Sequence, residues 1–446
     1  MSYNISFISL GCAKNQVNCE QMMALCAEAG YAIQTEPEGC DVVVVNTCGF
    51  LASACGEAIE NILEMAELKK EGKIKKILVT GCMTQRYKGD IFNELPEVDG
   101  LLGTGSYGDI VSAVAEVMEK GTKPCHLGNI HTANQSGERI LSTPPWYAYL
   151  RIAEGCDNHC AYCVIPSLRG KYRSRPMDEL LDEAAELASA GVKELIVIAQ
   201  DITKYGMDLP EHKRLLPELL RELCKMDFTW IRLHYLYPDQ ITDELIDVIA
   251  DEPKIVKYLD IPLQHVSKRI LRAMHRPGDG AEFTRLIENM RERIPGLVLR
   301  TSLIVGLPGE TEDEFAELCE FLQNVGIERV GVFEYSPEEG TEAAELPDQI
   351  DDETKQNRRL IVEELQSGVL DDYNTSRHGE VMQVLCEGFD EEQGLWYGRT
   401  YADSVEVDGH VYFDAADNEP AEGEFVSVLI TESLGPDLLG VRQKEA

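Results

Sequence analysis

The chain has 446 residues, with 41 Lys plus Arg against 79 Asp plus Glu and a formal net charge of −38. Hydrophobic residues make up 44% and charged residues 27%, a globular composition long enough for several domains, each with its own core. So acidic a chain argues against holding nucleic acid mainly by its phosphates, which takes basic surface, and favours a basic partner or a neutral small molecule.

No apolar run is long enough for a membrane span. The start, MSYNISFISLGCAKNQ, lacks a basic segment and reads as a first strand, not a signal peptide. A cytoplasmic protein is expected. Residues 4–10 read as a strand, 15–29 as a helix, 41–46 (DVVVVN) as a buried strand and 53–71 as a long helix. A strand at 76–80 (KILVT) and a helix at 106–119 follow. This alternation implies a parallel sheet covered on both faces. Residues 121–145, with Gly, Pro, Ser, Thr and Asn, read as a linker.

A second series begins at 146. Strands are expected near 147–152, 194–199, 229–234, 257–260, 298–304 and 329–333, with helices notably at 178–190, 213–225, 281–293 and 311–325. Six such units suggest a partial (β/α)6 barrel. A polar helix over 352–374 leads out. VMQVLCEGF, WYGRT, VEVDGHVYF and EFVSVLIT then read as strands, with VDG as a hairpin signal. The fold class is therefore α/β, with an amino-terminal parallel α/β domain (1–135), the central partial barrel (136–374) and a small antiparallel β-barrel (375–446).

Of the 14 cysteines, clustered ones in a cytosolic chain of this length point to metal or redox chemistry. Gly155-Cys156-Asp157-Asn158-His159-Cys160-Ala161-Tyr162-Cys163 sets three cysteines just past the first strand of the second series. Three thiolates so close can hold three irons of a 4Fe–4S cube, which usually takes four cysteines. The next is Cys224, so the fourth iron would be open to a small molecule. A zinc site is an alternative, but zinc usually adds a second knuckle and His159 lies between the ligands. Three unrelated cysteines are the other.

Cys12, Cys48 and Cys82 each follow an apolar strand. In a parallel sheet the carboxyl ends of strands line one edge, so these thiols can converge. Gly11 and Gly81 permit tight turns with exposed N–H groups. Ordinary burial of free cysteines at strand ends is the other reading. Cys19, Cys26, Cys40, Cys55, Cys125, Cys224, Cys319 and Cys386 read as core residues, Cys55 being closest in sequence to Cys48.

CxxxCxxC after the first strand of a six-unit barrel resembles the radical S-adenosylmethionine superfamily. The resemblance implies that the open iron chelates S-adenosylmethionine. One electron then cleaves its sulfonium C–S bond, giving a 5′-deoxyadenosyl radical that abstracts hydrogen from an unactivated carbon. Tyr162 stands where members carry an aromatic residue near the cluster. Ile304 and Gly306, in IVGLPGE, resemble the segment along the adenine, with Glu310 offset from the usual spacing; a tight strand-to-helix turn at Gly306-Leu307-Pro308-Gly309 is the other reading. Gln200-Asp201 is a candidate polar contact for the cofactor or a strand cap.

SLGCAKNQVNCE, NTCGF and TGCMTQRY resemble the amino-terminal domain of methylthiotransferases, and the likeness covers nearly the whole chain. It implies that Cys12, Cys48 and Cys82 hold an auxiliary 4Fe–4S cluster that delivers sulfur. S-adenosylmethionine would then be both radical source and methyl donor, with an electron donor such as flavodoxin or ferredoxin. The clusters would carry the chemistry, with no acid–base residue. His234 and His265 fall at strand ends, as cavity lining or packing. Arg232 and Arg300 are candidates to hold a carboxylate.

Members modify either a transfer-RNA adenosine or an aspartate β-carbon of a small-subunit ribosomal protein. The terminal barrel resembles a TRAM domain, usually an RNA-binding module. Residues 375–446 nevertheless hold 4 basic and 16 acidic residues, a net of −12. Such a barrel is expected to repel a phosphate backbone and attract a Lys/Arg-rich ribosomal protein; acidic residues that merely solvate the surface are the other reading. TPPWYAYLRIAEGC, CVIPSLRGKYRSRP and GRTYADSVEVDGHVYF resemble the aspartate-modifying branch. A basic small-subunit ribosomal protein is the expected substrate, and a transfer-RNA adenosine the alternative.

Overall fold

The computed structural model describes residues 2–133, 136–415 and 418–443. The expected boundary at 135 lies outside the described residues, as do Asp417, Lys444 and Glu445 of the terminal charge count.

The first sheet is parallel, built from β1 (Asn4–Ser9), β2 (Ala32–Gln34), β3 (Val42–Thr47), β4 (Lys76–Gly81), β5 (Gly100–Leu102) and β6 (Cys125–His126). Its spatial order is β2-β1-β3-β4-β5-β6. Val42–Val45 are fully buried, as an apolar run covered by helices on both faces must be. The helices Ala13–Glu28 and Ala52–Lys70 follow β1 and β3. The carboxyl ends of β1, β3 and β4 are neighbours, so Cys12, Cys48 and Cys82 share one edge. The expected helix at 106–119 is α-helical only over Ile110–Ala115 and widens to a π turn over Glu116–Lys120.

The second sheet contains β7 (Tyr147–Arg151), and a short antiparallel ladder of β8 (Ala153–Glu154) with β9 (Arg173–Ser174) branches beside it. The sheet continues through β10 (Glu194–Ile198), β11 (Trp230–Leu233), β12 (Ile255–Asp260), β13 (Val298–Val305) and β14 (Arg329–Glu334). These six parallel strands lie in sequence order, an open half-wound barrel with helices outside. The helix Asp352–Ser376 leads to a closed five-stranded barrel. It is formed by β15 (Val381–Asp390), β16 (Leu395–Arg399), β17 (Val411–Asp414), β18 (Phe425–Leu434) and β19 (Asp437–Arg442). It is not wholly antiparallel, because β17 pairs parallel with β19.

The VDG signal does not mark a tight hairpin. Residues 400–410 form a longer loop whose Ala402, Ser404 and Val405 are buried against the central sheet. That burial outweighs local turn preference. Arg232 is used up here: it donates to Glu194 Oε1 at 2.6 Å and to the Tyr401 carbonyl at 2.9 Å. It is therefore not free to hold a substrate carboxylate. Arg399 reaches Glu194 Oε2 at 2.7 Å, so one buried carboxylate joins barrel to core. Burial opposes ionisation of Glu194, but Arg399 and Arg232 outweigh it and hold its pKa at about 2. Glu194→Gln leaves two buried guanidinium groups short of charge, with an expected cost of about 3–5 kcal/mol. The carboxylate's contribution is complete above its ordinary pKa and lost as pH falls towards 2. Urea unfolding at pH 7 measures this, and an unchanged midpoint would contradict it.

Candidate functional site

β7 and β8 deliver the chain into the loop Cys156–Cys163. The Asn158 N–H donates to Cys156 Sγ at 3.5 Å and the Ile165 N–H to Cys163 Sγ at 3.4 Å. Arg276 Nη1 approaches Cys160 Sγ at 3.7 Å, and the Tyr237 hydroxyl lies 3.6 Å from the same sulfur. Each thiol thus lies beside a hydrogen-bond donor. Burial, with a neighbouring thiol, pushes the Cys156 thiol up to about 11 and the Cys163 thiol up to about 12. Thiols so placed ionise only when a cation joins them.

In the first sheet, Cys12 precedes the helix Ala13–Glu28 as its N-cap, and Cys82 opens the helix Cys82–Tyr87. The turns interlock. A Cβ on Gly11 would lie 2.9 Å from Cys48 Cβ, and one on Gly81, at φ +102°, 2.4 Å from the Thr47 carbonyl. Asn15 staples the strand ends, its Nδ2 donating to the carbonyls of Leu10 at 2.8 Å and Thr47 at 3.2 Å. Burial pushes Cys48 up to about 11 and raises Cys82. Cys12 keeps solvent contact. Partial desolvation opposes its thiolate, but Lys14, Arg169 and backbone N–H groups outweigh that and lower its pKa.

The two triplets meet at one seam. Cys82 packs with Val164 and Leu168 beside the Cys163 loop. Arg169 donates to Asn15 Oδ1 at 3.0 Å and to Glu154 Oε2 at 3.1 Å. Glu154 also accepts from the Gly155 N–H, one residue before Cys156. Burial works against the Glu154 carboxylate, but Arg169 and Arg151 hold its pKa at about 2. Among the described residues no three His, Cys, Asp or Glu side chains are arranged around a single metal ion. A cube makes a different demand, because each thiolate takes its own iron. The donor set, all sulfur with N–H groups aimed at it, fits that group.

Gln200 Nε2 donates to Glu154 Oε1 at 2.9 Å, while its own buried Oε1 has no partner among the described residues. Asp201 caps the turn Ile202–Lys204, accepting from Thr203 N–H at 3.0 Å. Ile304 and Tyr162 pack in one apolar cluster with Met274 and Leu307. Gly306 turns at φ +73°, and its N–H and that of Leu307 donate to Glu310 Oε2 at 2.7 and 3.0 Å. Glu310 is thus a clasp on its own turn.

His234 is buried, its Nε2 2.9 Å from Ser404 Oγ, and burial with nearby cations holds it neutral. His265 is fully buried and accepts from the Ser267 N–H. Both are packing residues. Of the eight cysteines expected in the core, Cys125 is exposed and Cys319 half-buried. Cys125 sits on an edge strand, where one flank faces water. Glu154, Arg169 and Arg276 escaped sequence reading. Glu154 and Arg169 flank the cysteine loop, but only folding joins them, and nothing local marks Arg276.

Residues 150–322 match the Radical SAM superfamily, 4–103 an uncharacterized protein family named UPF0004, and 379–442 the TRAM domain. The ribosomal protein uS12 methylthiotransferase RimO of Caldanaerobacter subterraneus subsp. tengcongensis is 48% identical over 98% of this chain and 99% of its own. The chain belongs to the RimO family. RimO of Lachnoclostridium phytofermentans is 46% identical over 98% of this chain and 100% of its own. RimO-family proteins are radical S-adenosylmethionine methylthiotransferases, and membership brings a 4Fe–4S cluster and S-adenosylmethionine. Among solved structures, the radical S-adenosylmethionine methyltransferase TsrM of Kitasatospora setae superposes with a TM-score of 0.56 at 15% identity, over 74% of this chain and 73% of its own. The cobalamin-dependent radical enzyme OxsB gives 0.54 at 12%, over 81% and 56%. These two share the fold. Among the described residues no helix is long and apolar enough to cross a membrane.

Proposed function

We propose that this RimO-family enzyme places a methylthio group on the β-carbon of an aspartate in ribosomal protein uS12, the substrate its relatives are named for. Cys156, Cys160 and Cys163 would hold the cluster that binds S-adenosylmethionine. Cys12, Cys48 and Cys82 would hold a second that carries the sulfur. When bound, these groups supply a 5′-deoxyadenosyl radical, the inserted sulfur and, from a second S-adenosylmethionine, the methyl group. The reading rests on one observation: both triplets border one seam, spanned by Arg169 between Cys82 and Glu154.

The protein's own work is placement. Tyr162, Ile304 and Gly306 would form the wall along the adenosyl group. Gln200, whose buried oxygen has no partner among the described residues, would accept from a cofactor N–H or O–H. The electron would come from a flavodoxin- or ferredoxin-type donor. Purified enzyme, S-adenosylmethionine and reductant, incubated separately with uS12 and with transfer RNA, test the reading by mass spectrometry. Methylthio mass is expected on the protein; its appearance on transfer RNA instead would overturn the proposal.

The acidic barrel suits a basic protein substrate. Glu391, Glu392, Glu419 and Glu422 are exposed on it. Reversing all four to lysine is expected to raise KM for uS12 by about tenfold at low salt, and less as salt screens the field. Steady-state kinetics across a salt series checks this; a KM unmoved at low salt would contradict it.

A further inference from the structure

Lys14 lies in the first turn of the helix that starts after Cys12, and its backbone N–H donates to the Cys12 sulfur. The residue is only 7% exposed. Its ammonium sits 3.2 Å from the centroid of the Tyr235 ring. Among the described residues it has no hydrogen bond or ion pair. A buried lysine is almost always paired, and a cation–π contact alone leaves three donors unused.

The other groups near it are committed. Asp260 is the carboxylate that senses Lys14, but it is bound to Arg300 Nη1 at 3.2 Å. His234 is held by Ser404. Tyr235 is a non-glycine residue at φ +66°, a backbone that costs free energy and persists only where its surroundings enforce it. Its carbonyl accepts from Ile202 N–H at 3.2 Å and its N–H serves the Asp260 carboxylate. The ring under Lys14 is therefore fixed at the carboxyl end of β11, opposite the Cys12 turn.

We infer that the Lys14 ammonium binds the side-chain carboxylate of the substrate aspartate, holding its adjacent CH2 beside the Cys12, Cys48 and Cys82 site. This rests on the proposed aspartate substrate. It makes Lys14 a substrate-binding residue that selects a carboxylate over a neutral group, since a neutral partner leaves the buried charge unmet.

The test compares the wild-type holoenzyme with Lys14→Met and Lys14→Arg, on uS12 and on uS12 with the target aspartate changed to asparagine. Methionine keeps the volume and removes the charge. The Met variant is expected to lose about 10- to 150-fold in kcat/KM on the aspartate substrate. It should lose most of the preference for aspartate over asparagine, while both clusters keep their EPR signals and 5′-deoxyadenosine still forms. Arginine should restore part of the preference. An unchanged preference in Lys14→Met overturns the assignment. So does a rise in KM for S-adenosylmethionine with that preference intact, which gives the ammonium to the cofactor's carboxylate. A wild-type enzyme that modifies no aspartate fails at the parent reading instead, and removes the inference with it.

Discussion

Replacing Cys156, Cys160 and Cys163 together by alanine is expected to drop cleavage of S-adenosylmethionine to background. The three sulfurs occupy one loop, each beside a hydrogen-bond donor, and no cysteine follows before Cys224. No other thiol in the central sheet can take over. The other triplet follows three separate strands of the first sheet, so about half the iron of the reconstituted wild type should remain. Anaerobic reconstitution, iron analysis and chromatography of 5′-deoxyadenosine measure both effects. A variant that still makes 5′-deoxyadenosine removes the assignment.

Replacing Cys12, Cys48 and Cys82 should have a complementary effect: 5′-deoxyadenosine still forms, but no sulfur reaches the substrate. The three turns interlock through Gly11, Gly81 and Asn15, so the thiols act as one set and single losses should already be severe. Alanine is small enough to leave those turns in place, which keeps loss of iron separable from loss of fold. Iron content equal to wild type in this variant contradicts a second cluster.

Much of the fold was legible because strong local patterns agreed with it. Four consecutive valines ending in Asn-Thr-Cys can only be a covered strand, and three apolar runs that each end in cysteine put three thiols on one sheet edge. Short strands escaped. Ala32–Gln34 and Gly100–Leu102 are too brief for a period, and Cys125–His126 pairs with β5 inside what reads as linker. The 400–410 loop escaped for another reason: Ser404 and Val405 are buried against a domain far away in sequence, and VDG carries no sign of it. The triplets were readable, but their bridge was not. Glu154 and Arg169 are unremarkable letters until folding puts them 3.1 Å apart. Arg232 was misjudged because its partners, Glu194 and the Thr400–Tyr401 carbonyls, come from two domains.

The central claim is that two clusters face one another across the seam where Cys82 packs on Val164. EPR of the dithionite-reduced holoenzyme tests it most directly, with each triple-alanine variant as a single-cluster reference. The account predicts a wild-type spectrum broadened by dipolar coupling between the two centres, which neither variant shows. A wild-type spectrum equal to the simple sum of the two variants' spectra would place the clusters too far apart for one to feed the other.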